Sequence, residues 1–130
     1  MMITLATAGA CGLLYFILSF RVVQMRVAHK ITLGDGGHDP LLSRIRAHAN
    51  FAEYVPLILI LLGGIEAQTG AGSRLLAATG IMLVVARIAH AIGMMRPAPN
   101  PFRVGGAAGT WIILVGLSAW ALVLAFGLLA

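Results

Sequence analysis

Apolar residues fill positions 2–20, 55–65, 75–95 and 104–130 of the chain, with polar breaks between the runs. The first run continues as a helix through Arg21-Val22-Val23-Gln24-Met25-Arg26-Val27. It stops before Gly34-Asp35-Gly36-Gly37-His38-Asp39-Pro40, a cluster of turn formers. Asp39-Pro40 reads as an N-cap followed by proline at the first helical position, so a second helix starts near Pro40 and runs to about Glu66. Its first turns carry Arg44, Arg46, His48, Asn50 and Glu53, which a hydropathy window alone rejects. After the short connection from Gln68 to Ser73, a third helix runs from Arg74 to Met95. The segment Arg96-Pro97-Ala98-Pro99-Asn100-Pro101-Phe102 holds three prolines, which lack an amide hydrogen and disfavour helical geometry in the residue before them. A fourth helix then follows from Arg103. The pattern predicts one all-α domain over residues 1–130, with helices at about 2–28, 40–66, 74–95 and 103–129.

Composition decides where these helices live. The chain has 130 residues, of which 60% are hydrophobic and 10% charged, and its mean hydropathy is +0.97. A helix crossing a hydrocarbon layer of about 30 Å needs about 20 residues, so four spans use about 80. The apolar content nearly matches that requirement. An up-down, integral membrane four-helix bundle therefore exhausts the chain and leaves no material for a soluble catalytic domain. No basic residue precedes Arg21, so the first run lacks the charged leader of a cleavable signal peptide and is expected to be a permanent span.

Charge sets the orientation. Nine Lys and Arg oppose four Asp and Glu. The basic residues gather at the ends of apolar runs, not along a solvated face interleaved with aromatics, which argues against nucleic acid as a partner. Arg21, Arg26, Lys30, Arg44, Arg46, Arg87, Arg96 and Arg103 lie toward the first and third connections; Arg74 alone lies toward the second. The positive-inside rule puts the first and third connections in the cytoplasm and both termini outside. The single cysteine, Cys11, allows no internal disulfide and reads as a small apolar residue, and the histidines form no metal-binding set.

Charged residues within a span face a partner, a cavity or the interface, because an arginine at bilayer centre costs about 2.5–3.5 kcal/mol on insertion scales. On the second helix, Asn50 lies about 40° from Arg46 and Glu53 about 20° to its other side, so the three share a stripe that Tyr54 borders. Arg87 and His90 share a face of the third helix. Arg26 closes the first helix at the same end, and Arg103 opens the fourth. Four arginines thus meet one glutamate, Glu53. An uncompensated positive cluster asks for an anion, and guanidinium groups grip carboxylates bidentately. The stripe on the second helix also admits a structural reading, as an ion pair holding helices together.

The stretch Arg46-Ala47-His48-Ala49-Asn50-Phe51-Ala52-Glu53-Tyr54-Val55-Pro56 resembles the second-helix signature of the MAPEG family, the membrane-associated proteins in eicosanoid and glutathione metabolism. The resemblance extends to Gln24-Met25-Arg26, to Ala86-Arg87-Ile88-Ala89-His90 and to the proline-rich turn ending at Arg103. It covers essentially the whole chain and, with the Gly34-Asp35-Gly36-Gly37 turn, looks most like the short bacterial inner-membrane branch. It implies a homotrimer with glutathione bound at the cytoplasmic end between protomers. Arg26, Asn50, Glu53, Tyr54 and His90 match positions that hold glutathione in relatives. Arg46 and Arg87 match arginines that shape the same pocket, and Arg103 matches the arginine credited with activating the thiol. Ala49 stands where some relatives carry a second arginine, and Met94 where many carry a tyrosine. The implied activity is a glutathione transferase or peroxidase acting on lipophilic electrophiles from the bilayer. The alternatives are a non-catalytic ligand- or lipid-binding protein of the same fold and a small four-helix transporter. A carrier of cations would want an unpaired carboxylate in the membrane, whereas here the excess is arginine.

Overall fold

The computed structural model describes residues 1–70 and 73–127. Among them are four helices and no strand: α1 (Met2–His29), α2 (Asp39–Thr69), α3 (Arg74–Gly93) and α4 (Pro101–Ala125). Ala71 and Gly72 of the second connection, and the expected end of the fourth helix at 129, lie outside the described residues. Each helix is long and apolar enough to cross a membrane. At 1.5 Å per residue the 31 residues of α2 extend about 46 Å, well beyond a hydrocarbon layer of about 30 Å. Both charged early turns and a full apolar span therefore fit on one helix.

Two helix starts differ from the sequence expectation, each for a local reason. The cap of α2 is His38, not Asp39: His38 is extended, and its Nδ1 accepts the Leu41 amide at 3.2 Å. Asp39 and Pro40 then form the first turn, where proline's missing donor leaves no bond unmade. Helix α4 begins at Pro101, two residues before Arg103, because Asn100 caps it by accepting the Arg103 amide at 3.0 Å. The Asn100 amide nitrogen also donates to the carbonyls of Gly93 and Pro97, tying the start of α4 to the end of α3. Helix α3 ends at Gly93, where the backbone of Arg103 occupies the place a side chain would take.

Contacts between successive helices give the up-down topology. Ile3 and Thr4 at the start of α1 meet Glu66 near the end of α2, while Arg44 in the second turn of α2 donates to the Arg21 carbonyl at 3.0 Å. One end of the bundle thus carries the N-terminus and the α2–α3 connection; the other carries the α1–α2 and α3–α4 connections. Helix α2 supplies the largest share of the core, with Phe51, Val55, Ile58, Leu62 and Ile65 buried at three- and four-residue intervals. Leu76 and Leu83 of α3, Ile113 and Leu117 of α4, and Cys11 and Leu18 of α1 pack against that stripe. Helices α3 and α4 also approach closely at Gly106, where an added Cβ would stand 2.6 Å from the Ala86 carbonyl oxygen. Leu5, Leu13 and Phe16 of α1 and Ile112 and Val115 of α4 stay exposed, as a lipid-facing surface requires.

Candidate functional site

The polar residues of the arginine-rich end fall into two groups. The first lies inside the protomer. Arg87 on α3 is 1% exposed, and α3 and α4 approach closely enough around Gly106 to bring it to Thr110. Its Nη2 donates to Asn50 Oδ1 on α2 at 2.8 Å, and its Nη1 to Thr110 Oγ1 on α4 at 3.3 Å. His90, 5% exposed and one turn along α3, places Nδ1 3.3 Å from the same Nη2. The Phe51 ring lies under the guanidinium carbon at 5.5 Å, a cation–π contact. Thr110 in turn donates to the Gly106 carbonyl at 2.8 Å. One arginine thereby links α2, α3 and α4 through neutral partners. Arg87 Nε, also buried, has no hydrogen-bond partner.

The second group faces outward. Arg46, Glu53 and Arg103 are exposed, Tyr54 is half-buried against the core cluster, and Arg26 is half-buried. The Nη1 of Arg26 is nonetheless inaccessible and has no hydrogen-bond partner. Such an orphaned buried donor is rare, because an unmade hydrogen bond leaves the group's desolvation uncompensated. Among the described residues the single ion pair is the Met1 ammonium with Glu66 at 3.5 Å, at the opposite end. Among the described residues Arg26, Arg46 and Arg103 therefore have no carboxylate partner, and Glu53 has no cation.

The structure thus brings Asn50, Arg87 and His90 into direct contact and leaves Arg26, Arg46, Glu53 and Arg103 outside that network. Arg87 is occupied internally, so the charge facing away from the core comes from Arg26, Arg46 and Arg103 against Glu53. Among the described residues neither the Asn50 amide nitrogen nor His90 Nε2 has a hydrogen-bond partner. Two residues that matter here were not singled out from the sequence. Thr110 lies two turns after Arg103 in an otherwise apolar run, which is the signal that it serves a buried polar neighbour. Phe51 reads as core, and it is core; that it also carries the Arg87 charge follows only from the packing.

The model of the MAPEG family matches residues 4–123. Inner membrane protein YecN of Escherichia coli K12 is 32% identical over 114 residues, covering 88% of this chain and 86% of that protein. The same protein from Escherichia coli O6:H1 matches equally.

Proposed function

The chain belongs to the MAPEG family, and from that premise we propose that it is a homotrimeric, membrane-embedded glutathione-binding enzyme, a transferase or peroxidase acting on lipophilic electrophiles from the bilayer. Its integral membrane character follows from four apolar helices and from its similarity to an inner membrane protein. In the proposed orientation the arginine-rich end faces the cytoplasm and both termini face outward.

The observation that carries this reading is the buried, unpartnered Nη1 of Arg26. A donor on a charged group, closed to solvent and without an acceptor among the described residues, fits an anionic ligand that supplies the acceptor. Glutathione has two carboxylates, one ammonium and a thiol, and so complements a surface with Arg26, Arg46 and Arg103 against Glu53. Arg26 and Arg46 are assigned to the carboxylates and Glu53 to the ammonium. Asn50, Tyr54 and His90 supply hydrogen bonds, and Arg87 fixes Asn50 and His90 in place from behind. Bound glutathione supplies a nucleophilic sulfur, and Arg103 favours its thiolate form, since a neighbouring cation lowers a thiol pKa from about 8.5.

Exposure of Arg46 and Glu53 on a spanning helix supports the trimer. In a lone protomer these charges would face lipid, at a cost of a few kcal/mol each if near mid-bilayer. A neighbouring protomer that closes over this face removes that cost and completes the site. Titration calorimetry of glutathione against the detergent-solubilised protein tests the reading. Wild type binds, while Arg26→Ala and Glu53→Gln each weaken binding about tenfold or more. Unchanged affinity in both variants overturns the assignment, and native mass spectrometry of the same samples reads the protomer number directly.

A further inference from the structure

We propose that the cleft between the start of α2 and the end of α3 is a second anion site, one that binds the phosphate of an anionic phospholipid headgroup through Arg44 and Arg96. The cleft has a volume of about 500 Å³, and its polar lining consists of Asp39, Ser43, Arg44 and Arg96. Met94, Met95 and Pro97 form its apolar side. Arg44 and Met95 also border a much smaller pocket lined by Leu18, Arg21, Ala47 and Ala91, so apolar surface leads from the cations toward the interior of the bundle. A charged mouth with an apolar continuation, at the end of membrane-crossing helices, matches a lipid headgroup better than a free ion.

Both arginines are positioned but not neutralised. Arg44 uses Nη1 to bond the Arg21 carbonyl at 3.0 Å, which fixes the side chain while leaving its other nitrogens for a ligand. Arg96 lies over the Phe102 ring with 4.4 Å from guanidinium carbon to centroid, and this holds the group by its face and leaves its edge donors free. Among the described residues neither forms an ion pair, although Asp39 lines the same cleft. The two cations of the cleft are not those assigned to glutathione. Arg46, two residues beyond Arg44 on α2, points about 160° away from it. Neither Arg44 nor Arg96 has a part in the glutathione assignment.

Thermal unfolding and native mass spectrometry of the delipidated, detergent-solubilised protein provide the test, with phosphatidylglycerol, phosphatidylcholine and inorganic phosphate as probes. Phosphatidylglycerol is expected to raise the melting temperature and to remain bound, whereas phosphatidylcholine and phosphate at equal concentration do neither. Arg96→Gln is expected to weaken phosphatidylglycerol binding about tenfold, as loss of a charge-assisted hydrogen bond does. Arg44→Gln should do the same, while Arg74→Gln at the opposite end leaves binding unchanged. If Arg44→Gln does not fold because the Arg21 contact is lost, Arg96→Gln decides alone. Equal binding of phosphatidylcholine, or wild-type phosphatidylglycerol binding in Arg96→Gln, overturns the site. Equal protection by inorganic phosphate overturns the lipid assignment in favour of a soluble phosphate. Arg26→Ala is expected to keep phosphatidylglycerol binding intact, so failure here and failure of the glutathione reading are told apart.

Discussion

The two ends of the bundle handle buried charge in opposite ways. At the end carrying the N-terminus, Glu66 is 1% exposed and its carboxylate is fully engaged by its own chain. It accepts the amides of Ile3 and Thr4 at 3.0 and 2.8 Å and the Thr4 hydroxyl at 2.6 Å, with the Met1 ammonium 3.5 Å away. The carboxylate thus caps the first turn of α1, where free amides and the helix dipole both favour an anion. At the other end, among the described residues, Arg26 keeps a buried donor without an acceptor, and Arg46, Glu53 and Arg103 have no ion-pair partner. A charge satisfied within the fold holds helices together. A charge left over marks where another molecule completes the structure.

The difference is broken most directly at Arg103. Arg103→Ala is expected to lower glutathione-dependent consumption of a generic aromatic electrophile by about 100-fold or more while the trimer persists, an effect of the size seen when one transition-state donor is lost. A mutant as fast as wild type removes Arg103 from the reaction. Glu66→Leu asks the converse at the other end. It strands the amides of Ile3 and Thr4, so the melting temperature should fall by several degrees while glutathione affinity, read by calorimetry, stays at the wild-type value. A parallel loss of affinity would show the two ends to be coupled.

Two smaller substitutions sharpen the boundary between the buried network and the outward group. Gly106→Ala places a methyl group against the Ala86 carbonyl and should destabilise the bundle by about 1–3 kcal/mol through forced separation of α3 and α4. Thr110→Val keeps the side-chain shape but removes the acceptor for Arg87 Nη1, with an expected loss of about 1 kcal/mol in denaturant unfolding. If Arg87 acts from behind Asn50 and His90, Thr110→Val weakens glutathione only a few-fold, and less than Arg26→Ala does.

Much of this was legible in the sequence because it is local. Helix existence follows from apolar run length and from the turn formers around Gly34 and Pro97. The early turns of α2 were readable as helix despite Arg44, Arg46, His48, Asn50 and Glu53, since a proline start and a continuing three- and four-residue spacing outweigh hydropathy. The caps were less legible. His38 and Asn100 compete with Asp39 and Arg103 as helix starts, and backbone geometry selects between neighbours that propensity leaves nearly equal. Within the candidate site, Asn50, Arg87 and His90 were all singled out, yet nothing in their spacing said that Arg87 turns inward to Thr110 while Arg46 turns outward. That choice depends on which face of each helix meets its neighbour.

The sequence by itself determined four membrane-crossing helices, their up-down order and the gathering of arginine at one end, because run length, turn chemistry and charge count are properties of consecutive residues. Only the tertiary structure decided which charges are spoken for. Glu66 finds Ile3 and Thr4 more than sixty residues away, and Arg87 finds Asn50 and Thr110 on two other helices. Hydrogen-bond partners so far apart in the chain are chosen by helix packing, which no local pattern encodes.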